Sequence, residues 1–210
     1  MPLILLVRHG ENDYVRQGKF AGRIPGIHLN EKGQHEAEEI AAALKELPIA
    51  AIYSSPLERA IETAKPLAKA KGLNITFRKG LLETDLGEWK GLEIKKVSKH
   101  PAWKTVQSSP SRFRFPGGES FLEEQRRLVE VVEQIIAGHK PDDLVVIVSH
   151  ADPIKLIIAY YLGMPLDYFQ RIACSPGSVS ILGISKETAA LLGLNLKPPF
   201  HFPIPKKKKK

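Results

Sequence analysis

One cysteine, two methionines and two tryptophans stand in a chain of 210 residues, with aromatics at only 7%. With Cys174 alone there is neither an intramolecular disulfide nor a cysteine metal cluster, so a cytoplasmic setting is the expectation. No apolar run reaches the ~20 residues of a membrane span. No basic-then-apolar leader precedes Leu3 to Val7, so neither an anchor nor a secretory signal is expected. Charge of one sign is also scarce once the C-terminus is set aside. The formal net charge is +8, yet five of the 31 Lys and Arg residues are Lys206 to Lys210, and the rest sets 26 basic against 23 acidic residues. Residues 197–210, with Pro203-Ile204-Pro205 before the lysines, read as a flexible solvated tail. Unselective polyanion binding is its other reading, and nucleic acid is not the expected partner.

What is present suits one folded unit. A hydrophobic fraction of 43% and a charged fraction of 26% are ordinary for a globular protein, and residues 1–196 suffice for one substantial core. Strand and helix patterns alternate, which predicts an α/β fold: a mostly parallel central sheet flanked by helices as a three-layer sandwich. Leu3 to Val7 and Leu144 to Val148 are continuous apolar runs, the mark of strands buried on both faces. Ile49 to Tyr53 and Asn74 to Arg78 read as further strands, and Val179 to Ile184 with Ala189 to Leu194 as a terminal pair. Asn30 caps a predicted helix with Ala37, Ile40, Ala41 and Leu44 on one stripe, and Ser55-Pro56 reads as the start of another. A long helix is predicted from Phe121 to Gly138, and one more from Asp152-Pro153. Residues 79–118 break the rhythm with both tryptophans, three prolines and Gly117-Gly118, and read as an irregular lobe.

The chemistry gathers at strand ends. Leu6-Val7-Arg8-His9-Gly10-Glu11 ends an apolar strand on an arginine and a histidine, and Val148-Ser149-His150 ends another the same way. In parallel sheets functional groups collect past the carboxyl ends of strands. A neutral imidazole offers a nucleophilic nitrogen and a guanidinium a fixed fork of donors for phosphate. Arg59 follows the second strand by one helical turn, and helix N-termini near Ser55 and Asp152 add backbone donors to an anion site. His28, His35, His100, His139 and His201 lack metal-ligand spacing and read as surface or loop residues, so no metal or cofactor is expected. Asp85 and Glu88 read as lobe surface.

Arg8-His9-Gly10-Glu11, Tyr53-Ser54-Ser55-Pro56-Leu57-Glu58-Arg59-Ala60, Glu83 through Gly87-Glu88-Trp89-Lys90-Gly91, Gly117-Gly118-Glu119-Ser120 and Val148-Ser149-His150 occur in one order. That order resembles the histidine phosphatase superfamily, also called phosphoglycerate-mutase-like, over about residues 3–185, and most resembles its small bacterial phosphomutase-like or phosphatase members. The resemblance implies that His9 is the nucleophile of a covalent phosphohistidine and that Arg8 and Arg59 clamp the phosphoryl oxygens. It further implies that a charged His150 adds a donor and that Glu83 is general acid, then base. Asn12, Ala21, Gly22, Arg23 and Ala151 are second-tier substrate contacts, with Arg23 either meeting a second anionic group or solvated. Two positions depart from the family: Val15 stands where an asparagine is common, and Ala151 where a glycine often follows the second histidine.

The leading expectation is a metal-independent phosphomonoester hydrolase acting on a small phosphorylated metabolite. A phosphoglycerate-type phosphomutase is the rival. The segment from Leu92 to Ser149 is short beside the insertion of cofactor-dependent mutases, which favours hydrolysis. A non-catalytic module binding a phosphorylated ligand is the second alternative, disfavoured because binding alone needs neither His9 nor Glu83. Oligomeric state, a dimer included, stays open.

Overall fold

Leu3-Ile4-Leu5-Leu6-Val7 offers water no polar side chain, and it becomes an interior strand. In the computed structural model, which describes residues 2–185 and 187–200, six strands form one sheet. They are β1 (Leu3–Arg8), β2 (Ile49–Ser54), β3 (Ile75–Phe77), β4 (Leu144–Ser149), β5 (Val179–Ile184) and β6 (Ala189–Leu196), in the order β3-β2-β4-β1-β5-β6. The pairs β1–β4, β2–β4 and β2–β3 are parallel, while β5 runs antiparallel to both β1 and β6. The expected α/β sandwich is therefore the one observed, with the antiparallel strands confined to one edge.

The two-residue period of each strand sorts its side chains between two cores. Leu5, Val7, Val146 and Val148 face α2 (Glu31–Leu44) and α3 (Glu58–Lys71). Ile4, Leu6, Val145 and Ile147 face α6 (Phe121–Ala137) and α7 (Ala151–Tyr161). Every residue of β4 is buried, as its unbroken apolar run requires. A short α1 (Asp13–Arg16) sits in the loop after β1, while α4 (Ile94–Val97) and α5 (Trp103–Ser108) lie in the lobe. That lobe is irregular in backbone but has an aromatic interior: Trp89 packs at 5.3 Å ring-centroid distance from both Phe113 and Phe115. No helix among the described residues is long and apolar enough to cross a membrane.

The caps explain where helices begin. Asn30 accepts the Gly33 amide at the head of α2, and Ser120 with Glu123 forms a capping box at the head of α6. The helix read as starting at Ser55-Pro56 instead begins at Glu58 with Leu57 as an unassisted N-cap. The Ser55 hydroxyl is engaged by His150, 2.8 Å away, and holds the Leu57 amide only at 3.4 Å. Two residues read into the tail over 197–210 are docked on the folded unit. Lys197 pairs with Glu36 at 3.1 Å, and Phe200 packs against the core on the α2–α3 face; Lys206 to Lys210 lie outside the described residues.

One backbone contact sets the position of the loop after β1. A Cβ on Gly33 would lie 2.0 Å from the Glu11 carbonyl oxygen, and one on Gly10 would lie 2.5 Å from the Gly33 carbonyl oxygen. The α2 backbone thus rests directly on the loop that carries His9, and Gly10 serves close approach rather than a left-handed turn. Gly33→Ala is expected to lower unfolding free energy by about 1–3 kcal/mol or more, as overpacking does. The change would appear as a lower urea midpoint, and an unchanged midpoint would contradict this packing argument.

Candidate active site

His9 emerges at the end of β1, where its amide donates to the Ser149 carbonyl at 3.0 Å. Because β1 and β4 are parallel with Arg8 opposite Ser149, His150 emerges beside it, and the ring centroids are 5.2 Å apart. The His9 Nδ1–H donates to the Gly10 carbonyl at 2.7 Å, so Nε2 keeps its lone pair. Arg59 Nε lies 3.3 Å from that Nε2, while Arg59 Nη2 donates to the Gly22 carbonyl at 2.8 Å. Thr63, one turn further along α3, accepts from the Gly10 amide at 3.0 Å and donates to the Arg59 carbonyl at 2.7 Å. One hydroxyl thereby ties the loop that carries His9 to the helix that carries Arg59, and nothing local in the sequence marks Thr63 for that task.

On the other flank Glu83 Oε2 is 4.0 Å from His150 Nδ1. Its backbone carbonyl is held by two guanidiniums, Arg23 Nε at 2.7 Å and Arg127 Nη2 at 3.2 Å. Glu119 joins them, pairing with Arg127 at 2.7 Å and with Arg23 at 2.8 Å while accepting the Asp85 amide at 2.8 Å. Arg23, expected near a second anionic group or in solvent, is instead committed to Glu83 and Glu119. Asp85, expected on the surface, is half-buried and accepts the Gly87 amide at 3.1 Å; Glu88 is exposed as expected. Arg127 has no local signature, since the Glu83 carbonyl it holds is 44 residues away in sequence.

The structure brings Arg8, His9, Arg59, Glu83 and His150 to one edge of the sheet. Arg8 is anchored through Nη1 to the Cys174 carbonyl at 2.6 Å. Asn12 is fully buried with Oδ1 capping α1 through the Val15 amide at 2.9 Å. Gly22 supplies the carbonyl that orients Arg59. Ala151 is the first residue of α7, with His150 as N-cap, and Ala21 is half-buried and accepts the Ile24 amide at 3.2 Å. Four buried nitrogens here, Arg8 Nε, Asn12 Nδ2, Arg59 Nη1 and His150 Nδ1, have no hydrogen-bond partner among the described residues. An unmet buried donor costs on the order of 1–3 kcal/mol, so four in one region mark an arrangement built for an acceptor-rich anion. A wider polar cleft of about 580 Å³ lined by Glu11, Asn30 and Lys32 includes none of the five residues. His139, read as a surface residue, is largely buried and bridges the Tyr53 hydroxyl at 3.0 Å and Asp143 at 3.1 Å.

The same frame recurs in known proteins. The sequence profile described as histidine phosphatase superfamily (branch 1) matches residues 4–197. Phosphoserine phosphatase 1 of Hydrogenobacter thermophilus is 30% identical over 198 residues, 93% of either chain. A 2,3-bisphosphoglycerate-dependent phosphoglycerate mutase of Thermoplasma acidophilum is 28% identical over 198 residues, 92% of either chain. Among solved structures, a mycobacterial glucosyl-3-phosphoglycerate phosphatase in complex with VO3 gives a TM-score of 0.84 at 27% identity, covering 92% of this chain and 98% of its own.

Electrostatics set the protonation states. Burial, then the charges of Arg59 and Arg8, holds the His9 pKa well below the usual imidazole value. Burial and Arg59 do the same to His150, so the charged His150 expected from the resemblance is disfavoured in the free site. A neutral ring still supplies a donor: with the proton on Nδ1, 4.0 Å from Glu83, Nε2 accepts from the Ser55 hydroxyl at 2.8 Å. In a ¹⁵N-histidine titration His9 and His150 are expected to stay neutral down through the range where exposed imidazoles protonate. Exposed His28, raised by its hydrogen bond to Glu62, should titrate above it as an internal contrast. A His9 ring that protonates at or above 6.5 would contradict this account.

Proposed function

Because the chain belongs to the histidine phosphatase superfamily, we propose that it is a phosphomonoester hydrolase with His9 as nucleophile and Glu83 as general acid, then base. The observation that carries the reading is His9 itself: neutral, tautomer set by Gly10, and with Nε2 beside a buried guanidinium that retains a free donor. In the first step the Nε2–phosphorus bond forms as the ester oxygen–phosphorus bond breaks, and Glu83 gives its proton to the departing alkoxide. In the second, Glu83 takes a proton from water as the water oxygen bonds to phosphorus, the phosphorus–nitrogen bond breaks, and inorganic phosphate leaves with neutral His9 restored. Arg8, Arg59, Asn12 and His150 hold the equatorial oxygens, charge and donors placed before the reaction begins. We assign the guanidiniums the neutralising role that a metal ion fills in other phosphatases, and the enzyme to the cytoplasm from its lone Cys174.

Hydrolysis is favoured over mutase chemistry by the fate of Arg23. A phosphoglycerate carries a second anionic group that needs a cation outside the phosphoryl cup, and the Arg23 guanidinium is already paired with Glu119 at 2.8 Å and Asp85 at 3.6 Å. A phosphate-binding module without turnover is disfavoured because it would gain nothing from a carboxyl poised to carry a proton.

Burial, with the Asp152 charge next in weight, pushes the Glu83 pKa up to about 7. Glu83 is thus the protonated acid below that pH and loses the proton above it, so kcat/KM should fall as pH rises through about 7. Glu83→Gln should lower kcat by roughly 10²–10⁴-fold and flatten that limb. Phosphate release from an ester panel should survive a chelator and vanish in His9→Ala. Undiminished release by His9→Ala, or loss of release on chelation, would overturn the mechanism.

A further inference from the structure

The leaving group must extend from the phosphorus on the side where Glu83 delivers its proton, and an aromatic pocket opens at Asp152, two residues along the chain from His150. The Asp152 carboxylate, in the first turn of α7, is after burial the largest influence raising the Glu83 pKa, and it lines this pocket of about 150 Å³. The walls are aromatic: Phe20, Trp89, Trp103, Phe115 and Phe121. Trp89 and Trp103 have ring centroids 6.4 Å apart, and Phe20 lies 6.3 Å from each. Leu86 links this pocket to the phosphoryl cup, since a Cβ on Gly22 would lie 3.3 Å from Leu86 Cδ1 and the Gly22 carbonyl holds Arg59.

The charge of the lining is as telling as its shape. Among the described residues no lysine or arginine lines the pocket, and Asp152 is its one formal charge. Lys155, which is not in the lining, is committed to Asp152 at 2.6 Å and to the Gln170 side-chain oxygen at 2.7 Å. A carboxylate or second phosphate on the alcohol would therefore be desolvated against rings and a carboxylate, with no cation to meet it. An uncharged ring would be desolvated against other rings, and a cavity of about this volume elsewhere admits benzene. Few convergent polar groups on an apolar wall is the usual form of a small-molecule site.

We infer that the substrates are phosphomonoesters of uncharged, aryl-bearing alcohols, the ring held in the pocket that Phe20, Trp89 and Trp103 line. This rests on the phosphatase reading above and names its substrate class.

The test compares 2-phenylethyl phosphate with n-propyl phosphate and 3-phosphoglycerate. The first two alcohols have similar basicity, so their ratio reports the pocket and not the chemistry of departure. The expected kcat/KM for the phenylethyl ester exceeds both others by at least about tenfold, the low end for burying a phenyl group, and Trp103→Ala should shrink that ratio. A second readout needs no pocket variant and no turnover. Trp89 and Trp103 are the only tryptophans, and both line the pocket, so 2-phenylethyl phosphate added to His9→Ala should change intrinsic fluorescence saturably where n-propyl phosphate does not. Propyl or glycerate esters turned over as well as the aryl ester would overturn the assignment, as would a preference undiminished by Trp103→Ala. Fluorescence saturation without phosphate release from any ester would leave the aryl site standing and remove the phosphatase reading. Silence in both readouts would remove both.

Discussion

The parallel register of β1 on β4 is the constraint from which the site follows. Val7 lies opposite Val148 and Arg8 opposite Ser149, so each strand delivers its histidine at the same level. The Ser55 amide continues the ladder by donating to the Val148 carbonyl at 2.9 Å, which brings the β2–α3 loop, and Arg59 behind it, to that level. A slip of one residue would exchange the two faces of β1, sending Leu5 and Val7 to the wrong core. Arg8 is the one polar residue of β1, so a slip that drew it along the buried β4 ladder would carry a guanidinium toward the core. Hydrophobic burial thus fixes, to within a hydrogen-bond length, where an imidazole and a guanidinium meet.

That placement works against stability. The fold buries Arg59 fully and leaves several donors near His9 unpaired, each at a cost of about 1–3 kcal/mol. Burial among cations also keeps both imidazoles neutral, while burial and the Asp152 charge, against the pull of Arg59 and Arg8, raise the proton affinity of Glu83. A bound phosphoryl dianion reverses the imbalance by supplying acceptors and negative charge together, so binding and stability are linked. The network of Arg23, Arg127 and Glu119 serves a different end. It grips the Glu83 backbone from outside the cup, so the carboxyl is positioned without a cation against its own oxygens that would hold it ionised.

The strands, Arg8, His9 and His150 were legible because their signals are local, whereas Glu83 was reached only through the family resemblance. A continuous apolar run followed by Arg8-His9, or by Ser149-His150, carries both the burial and the chemistry within eight residues. Partnerships across the chain were not legible. Arg23 and Glu119 are 96 residues apart, and no pattern near either shows the pair. The start of α3 was misread because Ser55-Pro56 is a sound local cap, yet the hydroxyl is engaged by His150 across 95 residues. His139 was misread for the same reason, its partner Tyr53 lying on a strand 86 residues earlier. Lys197 and Phe200 were read into the tail because their docking surface exists only once α2 and the sheet have assembled. The aromatic pocket could be anticipated only as a cluster of rings in an irregular lobe, since its walls come from the β1–α2 loop, the lobe and α6.

The central claim is a covalent bond between His9 and phosphorus, and the most direct measurement traps it. The enzyme is mixed with a phosphomonoester, quenched within milliseconds into alkali, where a phosphohistidine survives, and digested for mass spectrometry. The account predicts a phosphoryl group on the His9-containing peptide that forms before free phosphate accumulates and disappears during an unlabelled chase. Steady turnover with His9 unmodified at every time point, or with the phosphoryl group on another residue, would contradict it.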